Sequence, residues 1–412
     1  HVPEDGTFDE MKENADEPIN VICSYDTYEE KYTVFFYNKY DNLDPSSIRD
    51  KIEGQISDTD VSDYADTDIE LVVSDTEVEM LNEYIDYICS KDFDLISGWN
   101  YVDFDRTYIR RRMKTLYSEG ENIHPSWLSP FGKTTGSRNE SRRIPGREPF
   151  DQMEAFCSKL TFTNWRSESL EYVSNEELGI GKIDDVDINS DWKNEPSRLI
   201  AYNIVDVLLT VALDDVNGIH NFFYETADVC SIPVCDTFYE KRIVDGYVLS
   251  HRKDDEILPT ANESEVPNAG GYVAEAINGR KQDVGVSDLK SLYPSAMITW
   301  NISTETVSDS PDDFDNYVKI PHVPEPKRVQ GKIKGEDIDW DWLYASLDQQ
   351  GLLPRVLDRL FKKREYEKEQ RNKHETGSPE WKKWDRRQNV TKAQIMNSIY
   401  GNSTSKYWRL SN

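Results

Sequence analysis

Cysteine is scarce in this sequence, and its distribution argues against a structural zinc site. The 412 residues contain five cysteines, and only Cys230 and Cys235 lie close together. No second Cys/His pair follows at the spacing of a zinc ligand set. The odd count and the lack of a long apolar run predict a protein of the reducing cytoplasm that does not span a membrane.

Apolar residues are also sparse, although the chain has enough large rings to build packed cores. Only 37% of the residues are hydrophobic, but there are 10 Trp, 23 Tyr and 14 Phe. Aromatic side chains bury large areas, and the length exceeds that of one ordinary core. We therefore expect two or three folded domains rather than bulk disorder.

Positive charge is in short supply, which at first argues against a nucleic-acid partner. The 48 Lys/Arg stand against 78 Asp/Glu, and the net charge is -30. An acidic surface also keeps a protein hydrated in concentrated salt, where a Debye length of about 3 Å weakens repulsion of DNA. We favour this halophilic interpretation because Arg355 to Arg409 holds 15 basic and 7 acidic residues. Such a stretch indicates a local need for positive charge, although a solvated helical pair fits it equally.

Strand-like and helical patterns alternate in the first half of the chain, which indicates an α/β domain. The predicted strands are Ile19–Cys23, Thr33–Tyr37, Leu71–Ser74 and Asp94–Trp99. The predicted helices are Glu77–Ser90, Asp105–Tyr117 and Pro196–Asp214. Between them, Ser118–Phe150 is rich in Gly, Pro, Ser and Arg and is predicted to be a long loop.

The C-terminal part predicts an antiparallel helical hairpin. Its first helix carries an apolar stripe at helical spacing, formed by Leu352, Leu353, Val356, Leu357, Leu360 and Phe361. Ser378 is a suitable N-cap and Pro379 a suitable first residue for the second helix, which would run to about Tyr400 and stop at Gly401. Upstream, Val284–Asp288 is predicted to be a strand and the acidic Ser308–Asp348 to be irregular in part.

The sharpest motif is Asp288-Leu-Lys-Ser-Leu-Tyr-Pro-Ser295. It places a carboxylate at a strand end, where it can hold divalent metals, before a turn whose amides can face a triphosphate. The segment resembles motif A of family B DNA polymerases. The resemblance implies that Asp288 ligates two catalytic Mg²⁺ ions, and that Leu292 and Tyr293 contact the nucleotide, with Tyr293 excluding a 2′-hydroxyl. The alternative is that Leu292 and Tyr293 are core and Asp288 caps a turn.

A second segment, Asn397-Ser-Ile-Tyr-Gly401, resembles motif B of the same family. The resemblance implies nucleotide contacts for Lys392, Asn397 and Tyr400, and a DNA contact for Gly401. The family places its lysine four residues before the asparagine, whereas Lys392 lies five before Asn397. One extra residue turns a side chain by about 100° on an α-helix, and a one-residue π-bulge would restore the facing. The alternative is an amphipathic helix with an incidental lysine.

Upstream of motif B, Arg364 and Lys368 share one helix face, because they are four residues apart. They resemble the phosphate-binding pair on the first fingers helix of the family. Alone, this spacing more often marks a solvated helix face; its place between motifs A and B makes the resemblance specific.

Two segments in the first half resemble the proofreading exonuclease of the same family. Gly98-Trp-Asn-Tyr-Val-Asp-Phe-Asp105 is similar to its second motif, and Tyr202-Asn-Ile-Val-Asp206 to its third. The resemblance implies that Asp105 and Asp206 are metal ligands, that Tyr202 orients the attacking water, and that Asn100 and Phe104 contact DNA. Clustered carboxylates suit such chemistry, because two metals about 4 Å apart can activate water and stabilise the leaving oxygen.

The resemblance predicts an α/β plus α chain of four parts. These are a ribonuclease H-like 3′→5′ exonuclease domain (1–215), part of an α+β palm (216–350), a helical-hairpin fingers region (351–401) and the start of a return to the palm (402–412). The family's first exonuclease motif, Asp-x-Glu, is expected just before His1, and motif C beyond Asn412. Neither active site is therefore expected to be complete within the sequence given.

The function that the resemblance implies is template-directed DNA synthesis with proofreading. Each site would use two Mg²⁺ ions, with Mn²⁺ as an alternative. The expected partners are primer–template DNA and deoxynucleoside triphosphates, with a sliding clamp as a further candidate through sequence beyond Asn412. Three rivals stay open: an inactivated paralogue acting as a DNA-binding or scaffold subunit, a stand-alone exonuclease, and an acidic DNA mimic.

Overall fold

The computed structural model divides the chain into two compact units, His1–Phe222 and Phe223–Asn412. The described residues are 14–56, 68–132, 144–161, 163–258, 291–311, 315–322 and 341–403, with 279, 282, 285 and 410. Within these ranges, no helix is both long and apolar enough to cross a bilayer. The predicted strand Val284–Asp288 lies almost wholly outside them. The predicted palm and fingers boundaries stay predictions.

Two small sheets organise the first unit. Strand β1 (Val21–Asp26) runs antiparallel to β2 (Lys31–Tyr37), and β3 (Asp68–Ser74) runs parallel to the other edge of β2. The central strand is buried from Tyr32 to Phe36, which explains its continuous apolar run. A second, parallel pair consists of β4 (Leu95–Gly98) and β5 (Glu148–Asp151). The four strands predicted in this half are confirmed, with boundaries shifted by a few residues.

Capping residues that can be recognised in the sequence lie at the ends of helices in the first unit. Thr76 and Glu79 form a reciprocal capping box at the start of the second helix, and Gly218 ends the sixth with a φ of 61°. The helices are α1 (Ser46–Ile56), α2 (Glu77–Lys91), α3 (Asp105–Ser118), α4 (Leu170–Leu178), α5 (Ile188–Asn194), α6 (Pro196–Asn217) and α7 (Ile219–Cys230).

The prediction of a long loop over Ser118–Phe150 was wrong at two places. A short 3-10 helix forms at Pro125–Leu128, and β5 begins at Glu148. The strand has four residues and contains a proline, so it gives no periodic signal. It exists because it pairs with β4, a contact between residues far apart in sequence.

A buried ion pair connects three segments of the first unit. Arg112 on α3 donates from Nη2 to Glu77 Oε2 at 2.7 Å and from Nε to Glu77 Oε1 at 2.9 Å. Its Nη1 also donates to the carbonyl oxygens of Ala15 at 3.2 Å and Asp16 at 2.9 Å. The exposed fractions of the Arg112 and Glu77 side chains are only 10% and 8%. The pair therefore fixes α2, α3 and the segment before β1 to one another.

The second unit combines an antiparallel sheet with a helical core. The sheet has the strand order β6 (Val307–Ser308), β8 (Asp341–Ser346), β7 (Tyr317–His322). The core is formed by apolar residues of several helices, among them Val244, Val356, Leu360, Met396 and Ile399. The helices are α8 (Glu240–Ser250), α9 (Leu292–Thr299), α10 (Leu352–Arg371), α11 (Pro379–Val390) and α12 (Asn397–Ser403), with a π-helix, Thr391–Met396, between the last two.

The predicted helical hairpin is present, and polar pairs fix its register. Ser378 caps α11 by accepting a hydrogen bond from the Trp381 N–H at 3.2 Å, with Pro379 as the first helical residue. Arg371 near the end of α10 contacts Asp385 on α11 at 2.7 Å. Leu353, Val356, Leu357 and Leu360 are fully buried, as their helical spacing predicts.

One prediction for the second unit was wrong. Gly401 does not stop the last helix, because α12 continues through it to Ser403. Gly401 is exposed there, and nothing lies within 4 Å of the position that a Cβ would take. Within the segment Ser308–Asp348, predicted to be irregular in part, the described residues form β7 and β8.

We expect Arg112→Met to destabilise the first unit strongly. The substitution leaves the Glu77 carboxylate buried without its partner, and the loss of one member of a buried pair costs about 3–5 kcal/mol. Urea unfolding followed by circular dichroism measures the loss. Lys31→Met is the matched control, because the side chains of the Lys31–Glu70 pair are more exposed, at 27% and 52%. Equal stability of the two variants would contradict the structural role of Arg112.

Candidate active site

The third exonuclease-like segment places its two polar side chains on one face of α6. Lys182 approaches them from the segment after α4. Its Nζ donates to Asp206 Oδ2 at 2.7 Å and to the Tyr202 hydroxyl at 3.1 Å. The side chains of Asp206 and Lys182 are each 25% exposed. The structure therefore joins Tyr202 and Asp206 through an ammonium group that the sequence analysis did not single out.

Helix α4 holds the backbone of Lys182 in place. Glu171 accepts a hydrogen bond from the Lys182 N–H at Oε2, at 2.6 Å. Its other oxygen accepts from the Asn175 side chain at 2.7 Å. A side chain at Gly181 would collide with both groups, since a Cβ there would lie 2.3 Å from Glu171 Oε1. A larger residue before Lys182 would therefore displace the Glu171 and Asn175 side chains from this arrangement.

The second exonuclease-like segment forms a short loop between β4 and α3. Asn100 adopts a left-handed conformation with a φ of 59°, and its carbonyl oxygen accepts from the Phe104 N–H at 3.0 Å. Asp105 is the first residue of α3. Asp151, at the end of β5, accepts from the Val102 N–H at 3.0 Å and from the Glu154 N–H at 3.0 Å. Asp151 therefore holds the loop that delivers Asp105.

The carboxyl groups of this site influence one another through their charges. Asp105 is exposed to solvent, yet it is closely surrounded by protein. The resulting desolvation, with the charges of Asp151 and Asp206, raises the pKa of Asp105 to about 7. Burial also raises the pKa of Asp206, although Lys182 opposes the shift. These shifts reflect mainly the burial of the two carboxyl groups, and a bound cation would stabilise their ionised forms.

The described residues supply only part of a metal site. Among them, no group of three or more His, Cys, Asp or Glu side chains lies close enough to hold a metal ion. Asp206 Oδ1 is nevertheless buried and lacks a hydrogen-bond partner within the described ranges. Oxygen ligands of this kind suit Mg²⁺. The carboxyl groups of Asp105 and Asp206 therefore fit a divalent cation, and further ligands are needed to complete it.

Sequence reasoning missed Lys182 and the role of Asp151. Lys182 follows a helix without any periodic pattern, and only the preceding Gly-Ile-Gly run marks it as unusual. Asp151 ends a strand that was not predicted. Phe104, predicted to contact DNA, is half-buried, with its ring 6.2 Å from that of Tyr108.

In the second unit, Asp288 lies outside the described residues, whereas the rest of motif A is well defined. Ser291 precedes α9 in a left-handed conformation with a φ of 50°. Leu292 and Tyr293 are 50% and 43% exposed, which is contrary to the alternative that they are core residues. The Tyr293 ring stacks on Tyr400 with centroids 4.0 Å apart and planes 8° from parallel. Motifs A and B therefore meet through their tyrosines.

The interior of the hairpin is polar where Arg364 lies. Arg364 is only 8% exposed and donates from Nε to Gln388 Oε1 at 3.3 Å. Glu367 is 4% exposed, and burial raises its pKa although Thr391 hydrogen-bonds to it. Lys368 is half-buried. Arg364, predicted to bind phosphate, is thus engaged within the hairpin.

The π turn expected from the displaced motif B lysine is present. Residues Thr391–Met396 form a π-helix, and the Asn397 N–H bonds to the carbonyl oxygen of Lys392, five residues back. Lys392, Asn397 and Gly401 are exposed, and Tyr400 is half-buried. The wider turn absorbs the extra residue, because each π-type bond spans one residue more than an α-helical bond.

Two family models match the two units of the chain. The model of the DNA polymerase family B exonuclease domain matches residues 3–173, and that of DNA polymerase family B matches residues 239–410. The chain belongs to the family B DNA polymerases. The resemblance predicted from motifs A and B and the two exonuclease segments is thereby confirmed.

Relatives of this family B chain occur in phages and archaea. It is 30% identical to the DNA-directed DNA polymerase of Escherichia phage RB69 over 71% of its own length and 34% of the relative. The identity to the DNA-directed DNA polymerase of Enterobacteria phage T4 is 26%, over 86% of this chain and 40% of the relative. The identity to a DNA polymerase of Archaeoglobus fulgidus is 26%, over 83% of this chain and 40% of the relative. The matched region thus spans about a third to two fifths of these relatives.

We expect Asp105 to make the stability of the metal-free protein depend on pH. Because its pKa is about 7 in the folded state against a usual value of 3.8, the folded state binds the extra proton between these values. The contribution of Asp105 to stability is thus fully present below pH 3.8 and is lost as the pH rises to about 7. Thermal unfolding in EDTA across this window measures the loss.

Asp105→Asn should flatten that part of the profile, because the amide does not titrate. Asp103→Asn is the matched control, since Asp103 is an exposed residue of the same loop. An identical pH dependence in Asp105→Asn and the wild type would contradict the assignment.

Proposed function

We propose that this chain is the exonuclease and nucleotide-binding part of a DNA-directed DNA polymerase that proofreads its product. The observation that supports the editing activity most directly is the group formed by Lys182, Tyr202 and Asp206, beside the loop that carries Asp105. Family membership supports both activities. We further propose a ribonuclease H-like fold for the first unit, which its mixed three-stranded sheet supports.

In the editing reaction, water attacks the phosphorus of the last phosphodiester bond, and the 3′-terminal nucleotide leaves. Asp105 and Asp206 would hold the divalent cations, which in such sites lower the pKa of water and stabilise the leaving oxygen. Tyr202 is placed to orient the water, because its hydroxyl is fixed by Lys182. The ammonium of Lys182 places positive charge where the phosphate gains negative charge in the transition state. Asn100 and Phe104 would contact the DNA strand.

In the synthetic reaction, the primer 3′-hydroxyl attacks the α-phosphate of the nucleotide, and pyrophosphate leaves. Asp288 would hold Mg²⁺ together with a carboxylate of motif C, to which no residue of this chain is assigned. Lys392 and Lys368 would bind the triphosphate. Arg364, which contacts Gln388 inside the hairpin, would have to exchange that contact for a phosphate to join them. The stack of Tyr293 on Tyr400 supports this arrangement, because it places the proposed sugar-sensing ring beside motif B. Leu292, Asn397 and Gly401 would complete the contacts to nucleotide and DNA.

Removal of the Lys182 ammonium should impair editing selectively. In the full-length polymerase that carries this sequence, Lys182→Met should lower the rate of 3′-nucleotide release from single-stranded DNA by about 10²-fold, as expected for the loss of one preorganised charge. Asp206→Asn should be at least as severe. Primer extension should change little. Lys193→Met, which alters an exposed lysine of α5, is the control, and an unimpaired Lys182→Met enzyme would refute the assignment.

The π turn predicts that Lys392 binds the incoming nucleotide. Lys392→Ala should raise the KM for deoxynucleoside triphosphates about tenfold or more, because a hydrogen bond to a charged group contributes about 1.5–3 kcal/mol. Steady-state primer extension gives KM and kcat separately. Lys382→Ala, which removes an exposed cation of α11, should leave KM unchanged. A KM for Lys392→Ala equal to that of the wild type would show that the displaced lysine does not reach the triphosphate.

A further inference from the structure

A second hydrogen-bonded chain lies in the first unit, apart from the carboxyl groups of the editing site. The imidazole of His220 contacts Asp214 Oδ2 through Nδ1 at 2.7 Å and Ser97 Oγ through Nε2 at 2.7 Å. With its proton on Nδ1, the ring donates to the carboxylate and accepts from the serine hydroxyl. The backbone N–H of His220 also donates to Asp214 Oδ1 at 2.9 Å. Both ring nitrogens are therefore used.

The turn between α6 and α7 creates this arrangement. Gly218 adopts a φ of 61° and ends α6, so that His220, at the start of α7, comes back to Asp214 in the last turns of α6. Ser97 lies in β4, opposite Phe150 of β5. The buried Phe150 ring packs against the imidazole with centroids 4.7 Å apart. The chain therefore links the end of α6 to the two-stranded sheet.

The linked elements are the ones that carry the editing carboxylates. Asp206 lies about two turns before Asp214 on α6. Ser97 lies at the end of the strand that leads into the loop ending at Asp105. The hydrogen bonds of His220 to Asp214 and to Ser97 join these two elements directly, so they restrain the separation of α6 from β4.

We propose that Asp214, His220 and Ser97 form a clamp that sets the spacing between Asp105 and Asp206, with His220 as a positioning residue of the editing site. This inference rests on the proposed exonuclease function. The order of the three groups is also that of a hydrolase triad. A nucleophilic serine requires an exposed turn, whereas Ser97 is half-buried in a paired strand with its hydroxyl directed at the clamp.

The clamp is tested on the full-length polymerase that carries this sequence, by two measurements that do not depend on catalysis. Mn²⁺ affinity is measured by electron paramagnetic resonance, with Asp206→Asn defining the binding that belongs to the editing site. Amide hydrogen exchange is followed over residues 98–105 and 206–217. His220→Ala should weaken the Asp206-dependent binding about tenfold, the lower end of the effect of residues that hydrogen-bond directly to metal ligands, because His220 acts on the ligands only through α6 and β4. The same substitution should speed exchange in both segments.

Conservative variants distinguish a positioning role of the clamp from a contribution to the overall stability of the protein. Ser97→Ala should weaken Mn²⁺ binding, whereas Ser97→Thr keeps the hydroxyl and should restore it. Added imidazole should partly rescue His220→Ala. Thr76→Ala is the stability control, because it removes the N-cap of α2, a helix that carries neither editing carboxylate. It should lower the unfolding midpoint and leave the Asp206-dependent binding unchanged.

The outcomes distinguish this inference from the function on which it rests. If the wild type shows no Mn²⁺ binding that depends on Asp206, the proposed metal site fails, and hydrogen exchange alone decides whether the clamp restrains the two segments. If that binding is present and His220→Ala leaves both affinity and exchange unchanged, the clamp is overturned. Loss of affinity in Thr76→Ala equal to that in His220→Ala would also overturn it.

Discussion

The burial of carboxyl groups is the constraint on which the candidate site of the first unit depends. Asp105 and Asp206 come from separate elements, and desolvation raises the pKa of both. Lys182 offsets part of this cost through direct contact with Asp206. Neighbouring residues hold these groups in place. Glu171 fixes the backbone of Lys182, Asp151 fixes the loop before Asp105, and α6 carries Tyr202 and Asp206 on one face.

The second unit also buries charged side chains, and it does so inside its helical hairpin. Its hairpin encloses Arg364 and Glu367, which are rarely buried residue types, and pairs them with Gln388 and Thr391 on the facing segment. Glu367 Oε2 is buried without a hydrogen-bond partner among the described residues. Polar pairs of this kind fix one register between two helices, since a shift by a turn would leave a charge unpaired. The apolar stripe of α10 supplies packing energy, and the polar pairs determine which faces meet.

Local sequence signals predicted part of this structure, whereas the features that depend on contacts between distant residues were not predicted. The helices α2, α3, α10 and α11 followed from apolar spacing and caps, and the π turn followed from the distance between Lys392 and Asn397. Family motifs pointed to Asp105, Tyr202 and Asp206 as members of one site. Lys182, β5 and the clamp at His220 depend on contacts between residues far apart in sequence, which no local pattern records. Gly401 shows the converse error, because a glycine that usually ends helices lies inside one here.

The π turn at Thr391–Met396 also has a consequence for the alignment of related sequences. An added residue inside a helix would ordinarily rotate everything that follows it and misalign the whole downstream segment. Here the widened turn confines the change to a single stretch, so that Tyr400 still meets Tyr293. When chains of this kind are aligned, a gap should therefore be allowed in the middle of this helix, and not only in the connecting loops.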